Sequence, residues 1–415
     1  MRVVVVGASG NVGTAVLRRL LDEPAVDRVV GVARRPPTGA GAPYDLVSWT
    51  AVDVAGPGAR ERLAEVMAGA DAVVSLAWRL QPSWDTAALE RVNVAGTQAV
   101  VEATLAAGVP QLVYSSSIGT YAPSPGDQPR DESWPATGIA SSTYSRQKAA
   151  VEQFLDGIDA GRLAVLRVRP AIVLQPAAAG EIARFFLGPL VPVSLLRPAL
   201  LPVLPWPHGL RGQIVHADDL ADALVRGLLA KATGGLNVAT EPLLTRPLVA
   251  DLLQARGVDV PARLPRALVS GTWRLHLQPT DAGWLDMAMN APVLDTGKAR
   301  ELGWAPRHPT GEVLREFLPR SPTAPATAAP CWSRAPRCPD GASRPDPAGD
   351  LPGAVDHGRP AVDRPVHAQS VSPSRSQSSR NASANGECSV RRRTSAQSTC
   401  SRSARTIGSA LPKSA

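Results

Sequence analysis

Two patterns in this 415-residue chain have the residue types and spacing to do chemistry together. The first is Tyr144-Ser145-Arg146-Gln147-Lys148, a phenol and an ammonium four residues apart, which a helix would place on one face, one turn apart. A tyrosine with an ordinary pKa of about 10 is a poor base at neutral pH, and a neighbouring cation makes its phenolate easier to form. The pair is therefore suited to moving a proton on and off an alcohol or carbonyl oxygen. Spacing alone does not separate it from any other tyrosine and lysine on a helix. The second pattern is Gly7-Ala8-Ser9-Gly10-Asn11-Val12-Gly13, which follows the valine run Val3 to Val6. Gly7 permits a tight strand-to-helix turn, Gly10 lets the backbone approach a pyrophosphate, and Gly13 lets the helix pack closely. The helix start, through Ser9, Asn11 and Val12, offers unpaired N–H groups and a positive dipole end to phosphates. The plainer alternative is a turn that binds nothing.

Positioning these groups requires strands that end near them. Apolar runs at Val3–Val6, Val29–Ala33, Val47–Val52, Ala72–Leu76, Leu112–Ser116 and Ala164–Val168 alternate with amphipathic stretches starting near Asn11, Ala59, Ala87 and Ser142. That alternation predicts an α/β fold, a doubly wound parallel sheet of the Rossmann type. Beyond Pro170 the alternation weakens, and short helices are expected at Asp218–Leu229 and Thr245–Ala255. The expected organisation is a dinucleotide-binding core over 1–170 and a smaller, mostly helical substrate lobe with returning core elements over 171–320. A disordered tail over 321–415 would follow.

At the end of the second strand an NAD enzyme usually carries an acidic residue for the ribose 2′-hydroxyl. Arg34 and Arg35 stand there instead; guanidinium groups suit a 2′-phosphate, which leans the cofactor towards NADP over NAD. Solvated loop arginines are the competing reading. Asp53, followed by Val54, ends the third strand where it can meet the adenine amino group, or it is simply a turn aspartate.

Further motifs then fall in order. They are Val73-Val74-Ser75-Leu76-Ala77, Asn93-Val94-Ala95-Gly96-Thr97, Leu112-Val113-Tyr114-Ser115-Ser116-Ser117, Arg169-Pro170, Val215-His216-Ala217-Asp218-Asp219-Leu220-Ala221 and Leu302-Gly303-Trp304. With the glycine loop and the Tyr/Lys pair, the chain over about 1–318 resembles the extended short-chain dehydrogenase/reductase family, the NAD-dependent epimerase/dehydratase group. The resemblance implies that Ser117 bonds the substrate oxygen, with Ser115 and Ser116 as competitors, and that Tyr144 is the general acid/base. It implies too that Lys148 holds the nicotinamide ribose and lowers the tyrosine pKa. Leu76, Ala77 and Pro170 would lie along the cofactor, and Asn93 would sit behind the site, if it is not merely a structural amide.

The resemblance leaves the reaction open. Dehydratases of the family carry Asp-Glu directly after the serine or threonine of the triad, where this chain has Ile118-Gly119, so water elimination is not expected. A nucleotide-sugar epimerase and an NADPH-dependent reductase of a less polar carbonyl compound both remain. Ala171 to Leu174 replaces a polar stretch, Trp78 stands where a small residue is common, and the arginine that clamps a diphosphate is offset, with Arg211 one residue early and Gly212 in its slot. A nucleotide sensor that binds NADP without turnover is a third reading, and the presence of Tyr144 and Lys148 argues against it.

His216 has no partner at ligand spacing, and Asp218 and Asp219 are expected to cap and start the next helix, so no metal is expected. All four cysteines, Cys331, Cys338, Cys388 and Cys400, lie in the tail, which fits a reducing, cytoplasmic setting. The tail also holds 13 Lys and Arg against 6 Asp and Glu, a surplus of seven that accounts for nearly all of the chain's net +8. The basic balance therefore says nothing about the core, and a tail without aromatics beyond Trp332 is expected to be solvated rather than bound to nucleic acid. No apolar run is long enough to span a membrane, and the apolar stretch Phe185 to Leu204 is broken by prolines into an expected loop-rich cap. The partner expected is a small-molecule substrate, with a homodimer compatible.

Overall fold

The computed structural model describes residues 1–37, 39–176 and 202–317. The expected tail and most of the expected cap lie outside them. The chain opens on β1 (Arg2–Val6), whose valines are 0–1% exposed, as a strand covered on both faces must be. It is followed by α1 (Asn11–Leu21), β2 (Arg28–Ala33), β3 (Ser48–Ala51), α2 (Ala59–Met67) and β4 (Ala72–Ser75). A helical stretch comes next, α3 (Thr86–Glu90) and α4 (Gly96–Ala106), then β5 (Gln111–Ser115), α5 (Thr143–Asp156) and β6 (Ala164–Pro170). A later strand, β7 (Gly234–Val238), returns to the sheet. The sheet order is β7-β6-β5-β4-β1-β2-β3, parallel throughout, so the strand order reverses beside β1, where a doubly wound sheet opens a crevice.

All six expected strands are present within a residue or two. The seventh, β7, carries the sequence Gly-Gly-Leu-Asn-Val, which lacks the apolar run that marks a buried strand. It forms because its backbone completes the edge beside β6, pairing Leu236 with Val168 and Val238 with Pro170.

The two faces of the sheet are covered by separate clusters. On one, Val16, Leu17 and Leu20 of α1 pack with Leu220, Leu224 and Leu228 of α6 (Ala217–Leu229) over Val3 and Val5. On the other, Leu63 and Met67 of α2, Val100 and Val101 of α4, and Val151 and Leu155 of α5 cover Val4, Val6 and Leu112. After β6 the chain forms α7 (Arg246–Leu253), α8 (Arg263–Arg274) and α9 (Ala282–Asn290), with the short strands Val203–Pro207 and Arg256–Val260 paired in parallel. The lobe is mostly helical in its described part, as expected, with this small two-stranded ladder added. Among the described residues no helix is long and apolar enough to cross a membrane.

Candidate active site

The glycine loop is built as its sequence requires. Gly7 adopts φ +87, which side chains rarely tolerate, and a Cβ there would sit 2.7 Å from the Ala77 nitrogen; strands β1 and β4 thus approach through a bare backbone. A Cβ on Gly13 would lie 2.4 Å from the Gly7 carbonyl oxygen and 2.5 Å from that of Ala8, so the first turn of α1 rests directly on the loop. Gly10, the N-cap of α1, has no side-chain cap. Its Cβ would meet little besides the Gly7 oxygen at 3.3 Å, leaving the helix start open to a ligand. Asn11 Oδ1 is buried there without a partner, an orphan expected where a bound group completes the hydrogen bonding. The loop fits a dinucleotide pyrophosphate on these grounds, with Ser9 and Val12 partly exposed beside it.

Arg34 and Arg35 are exposed just past β2, and no ion pair engages either among the described residues. Asp53 accepts from the Ala55 backbone N–H at 3.1 Å, forming a turn, yet remains exposed. Val54 packs over Gly96, where a Cβ would meet its methyl at 2.8 Å. Leu76 is tied to β1 by its N–H to the Val6 oxygen at 2.8 Å, Ala77 lies over Gly7, and Pro170 ends β6.

The C-terminal ends of β4 and β5 carry the second half of the site. Ser142 caps α5, accepting from the Ser145 N–H, and this fixes the first turn that holds Tyr144, with Lys148 one turn on. Ser117 caps a short 3₁₀ turn after β5, accepting from the Gly119 N–H at 3.0 Å, and it hydrogen-bonds Tyr144. Ser116 turns away to donate to Glu152 at 2.6 Å, and Ser115 offers only its carbonyl, to Lys148 at 2.8 Å. The geometry therefore brings Ser117, of the three serines, to the phenol.

The electrostatics depart from expectation. Burial pushes the Tyr144 pKa up to about 12 despite the Ser117 hydrogen bond, which lowers it. Lys148 is pushed down to about 7, again by burial, with Glu152 opposing. The lysine does not depress the tyrosine pKa here, because its Nζ is committed to Tyr114 (3.2 Å) and Ser115 (2.8 Å) and, at neutral pH, carries only part of a charge to lend. Its remaining side is capped by the Trp78 ring, 3.6 Å from Nζ to the ring centre.

Sequence reasoning missed Trp284 and named Trp78 and Asn93 without their contacts, which shape the site. Trp78 and Trp284 flank the phenol, with ring centres 5.9 Å and 5.0 Å from that of Tyr144. The Trp78 indole N–H is buried without a partner. Trp78 was legible only as an unusual residue after β4; its place over Lys148 depends on the fold. Asn93 lies in a π-helical turn, Arg91–Ala95, of the kind frequent at functional sites. Its Oδ1 accepts from the Arg79 N–H at 2.7 Å, and its Nδ2 donates to the Arg79 oxygen at 3.1 Å and to Gln147 at 3.0 Å. It therefore pins the segment after Trp78 to α5.

Behind Lys148, Glu152 is fully buried and receives Arg169 at 2.9 and 2.8 Å, together with Ser116. Burial pushes its pKa up, but Arg169, Ser116 and Arg167 more than offset this and hold it below the usual value. The spacing of four from Lys148 was the available signal for Glu152; Arg169 comes from a distant strand. His216 is the N-cap of α6, accepting from the Asp218 N–H at 3.2 Å, so the cap is the histidine and not the aspartates. Buried Asp219 instead accepts from the Arg307 and His308 N–H groups, both at 3.1 Å, tying down the Gly303-Trp304 turn region. No cluster able to hold a metal occurs among the described residues.

The model of the NAD dependent epimerase/dehydratase family matches residues 3–239. An uncharacterized protein of Mycobacterium tuberculosis is 28% identical over 321 residues, which is 76% of this chain and 30% of that protein. The chain thus spans under a third of the length of the first curated relatives it matches. An uncharacterized protein of Sinorhizobium fredii is 26% identical over 329 residues, covering 75% of this chain and 76% of that one. The solved UDP-glucose 4-epimerase of Thermus thermophilus, a complex with NAD, superposes with a TM-score of 0.55 at 21% identity, covering 77% of this chain and 98% of that one. The terminal R domain of the myxalamid biosynthetic pathway superposes with a TM-score of 0.60 at 14% identity, covering 76% and 89%. At these identities the superpositions show the fold, while the family match covers more than half of the chain and includes the glycine loop, Ser117, Tyr144 and Lys148: the chain belongs to the NAD-dependent epimerase/dehydratase family.

Proposed function

We propose that the chain binds a nicotinamide dinucleotide and moves a hydride on or off a carbon that carries an alcohol or carbonyl oxygen, with Tyr144 as the acid/base. The observation that carries this reading is the Ser117–Tyr144 hydrogen bond at the strand ends, with Lys148 one helical turn behind. When bound, the nicotinamide supplies or accepts the hydride. Ser117 orients the substrate oxygen, and Tyr144 gives it a proton as a carbonyl is reduced or takes one as an alcohol is oxidised. In this reading Lys148, held by the Tyr114 hydroxyl and the Ser115 carbonyl, passes a proton towards Tyr144, and it would reach the ribose only with Trp78 moved off its Nζ. Glu152 and Arg169 hold that lysine's surroundings rigid.

The family and the UDP-sugar complexes among the structural neighbours favour epimerisation of a nucleotide sugar, in which one carbon is oxidised and then reduced on the other face. For the cofactor, the neighbours carry NAD, whereas exposed Arg34 and Arg35 favour NADP by offering two guanidiniums to a 2′-phosphate. The test is fluorescence titration of the full chain with NADPH and NADH, followed by the reaction of each with a panel of UDP-sugars, ketones and aldehydes. Tighter binding of NADPH, with turnover on some member of the panel, is expected. Failure to bind either nucleotide would end the reading, and a clear preference for NADH would overturn the role given to Arg34 and Arg35.

A further inference from the structure

We propose that Trp78 is a gate over Lys148: its indole covers the lysine and turns outward when the nicotinamide ribose enters. The inference rests on the proposed hydride-transfer reading, in which Lys148 meets that ribose. An ammonium has three donors. On Lys148 two of them go to the Tyr114 hydroxyl at 3.2 Å and the Ser115 carbonyl at 2.8 Å, and the Trp78 ring lies over Nζ at 3.6 Å. With Lys148 only 3% exposed, the side under the indole is the one from which a ribose hydroxyl can take the remaining hydrogen bond. The same ring meets Tyr144 edge-on, with centres 5.9 Å apart and planes at 76°. One rotation of Trp78 therefore uncovers the lysine and frees an edge of the phenol.

The cover is held so that the side chain can move while the backbone stays. Asn93 grips the next residue at both backbone groups, accepting from the Arg79 N–H at 2.7 Å and donating to the Arg79 oxygen at 3.1 Å. The chain beside Trp78 is fixed in this way, and the indole itself is held less firmly. Its N–H is buried with no hydrogen-bond partner among the described residues. A buried donor left unpaired costs stability, which an outward rotamer recovers by reaching water or a ligand oxygen. The attraction between ring and ammonium depends on the charge of the lysine, and burial lowers the Lys148 pKa to about 7, so at neutral pH much of that charge is missing. Trp78 is half-buried and packs at the margin of the cluster formed by α2, α4 and α5, so it can turn without opening the core.

The test is calorimetric titration of the full chain with NADPH and NADH, set against ADP and 2′,5′-ADP, which carry the adenosine end and lack the nicotinamide ribose. A closed fraction lowers apparent affinity in proportion, so Trp78→Ala is expected to tighten dinucleotide binding at least about threefold and to leave ADP and 2′,5′-ADP within about twofold. Trp78→Phe, which keeps a smaller ring over the ammonium, should fall between wild type and alanine. In wild type labelled with 5-fluorotryptophan, the Trp78 resonance is identified by its absence from the phenylalanine variant. Its solvent-isotope shift should grow on adding the tighter dinucleotide and not on adding the ADP fragments. This wild-type readout decides the matter if the alanine variant folds poorly and loses ADP as well. Unchanged or weaker dinucleotide binding in Trp78→Ala with ADP retained, or a Trp78 resonance indifferent to the dinucleotide, would overturn the gate. If those results come while wild type still binds the dinucleotide and turns over with Tyr144 required, the gate falls alone. If neither wild type nor variant binds either dinucleotide, the hydride-transfer reading falls and the gate with it.

Discussion

Glu152→Gln is the perturbation whose magnitude the structure fixes best. The carboxylate is fully buried, takes both Nε and Nη2 of Arg169 at 2.9 and 2.8 Å, and accepts from Ser116 at 2.6 Å. Glutamine keeps the volume but turns one acceptor into an N–H donor facing the Arg169 fork, and it leaves that buried guanidinium without its counter-charge. Breaking a buried pair from one side costs about 3–5 kcal/mol; since one oxygen still accepts, about 3 kcal/mol is expected. For a folded region of this size, each kcal/mol moves the melting temperature by about 2–4 °C, so the expected fall is about 6–12 °C. The pH dependence supplies a sign. The folded pKa of Glu152 lies below its ordinary value of 4.5, so its stabilisation is present above that value and is lost as pH falls through the folded pKa. The wild-type and mutant melting curves, followed by circular dichroism, should therefore differ most at neutral pH and converge in acid. A fall under about 2 °C at pH 7, or a gap that widens in acid, would refute this account of the network behind Lys148.

Gly13→Ala would drive a Cβ into backbone oxygens at 2.4 and 2.5 Å; a loss of about 1–3 kcal/mol in urea unfolding and weaker nucleotide binding by fluorescence titration are expected. Replacing Arg34 and Arg35 together by alanine should weaken NADPH binding about tenfold or more and leave NADH within about threefold, because 2′-phosphate contact is charge-assisted while the hydroxyl has no such partner. Lys148 has a folded pKa of about 7 against an ordinary 10.5, so the unfolded chain binds the extra proton between those values and stability should rise with pH across that window. Lys148→Met should flatten that rise in melting temperature, and an unchanged slope would remove the depressed lysine from the account.

Much of the core was readable because strict apolar runs between amphipathic stretches leave few ways to bury both faces of a sheet. The glycine loop was readable because Gly7, Gly10 and Gly13 answer separate steric demands in one short span. What escaped depends on contacts between distant segments. Gly234–Val238 becomes a strand because β6 offers it an edge, and the π-helical turn around Asn93 slips the helix register in a way that hydrophobic spacing does not record. Trp78 was visible as an oddity after β4, yet its cap over Lys148 arises only when α5 and β4 meet. The tyrosine–lysine spacing suggested a lysine that lowers the phenol pKa, but spacing carries no information about burial. Here burial raises the one and lowers the other.

The central claim is that Tyr144 exchanges the substrate oxygen's proton, and Tyr144→Phe tests it most directly, with cofactor affinity and turnover measured on the same preparation. The account predicts cofactor binding within about threefold of wild type and turnover lower by about 10²–10⁴-fold. Turnover near the wild-type rate with the phenylalanine in place would contradict it.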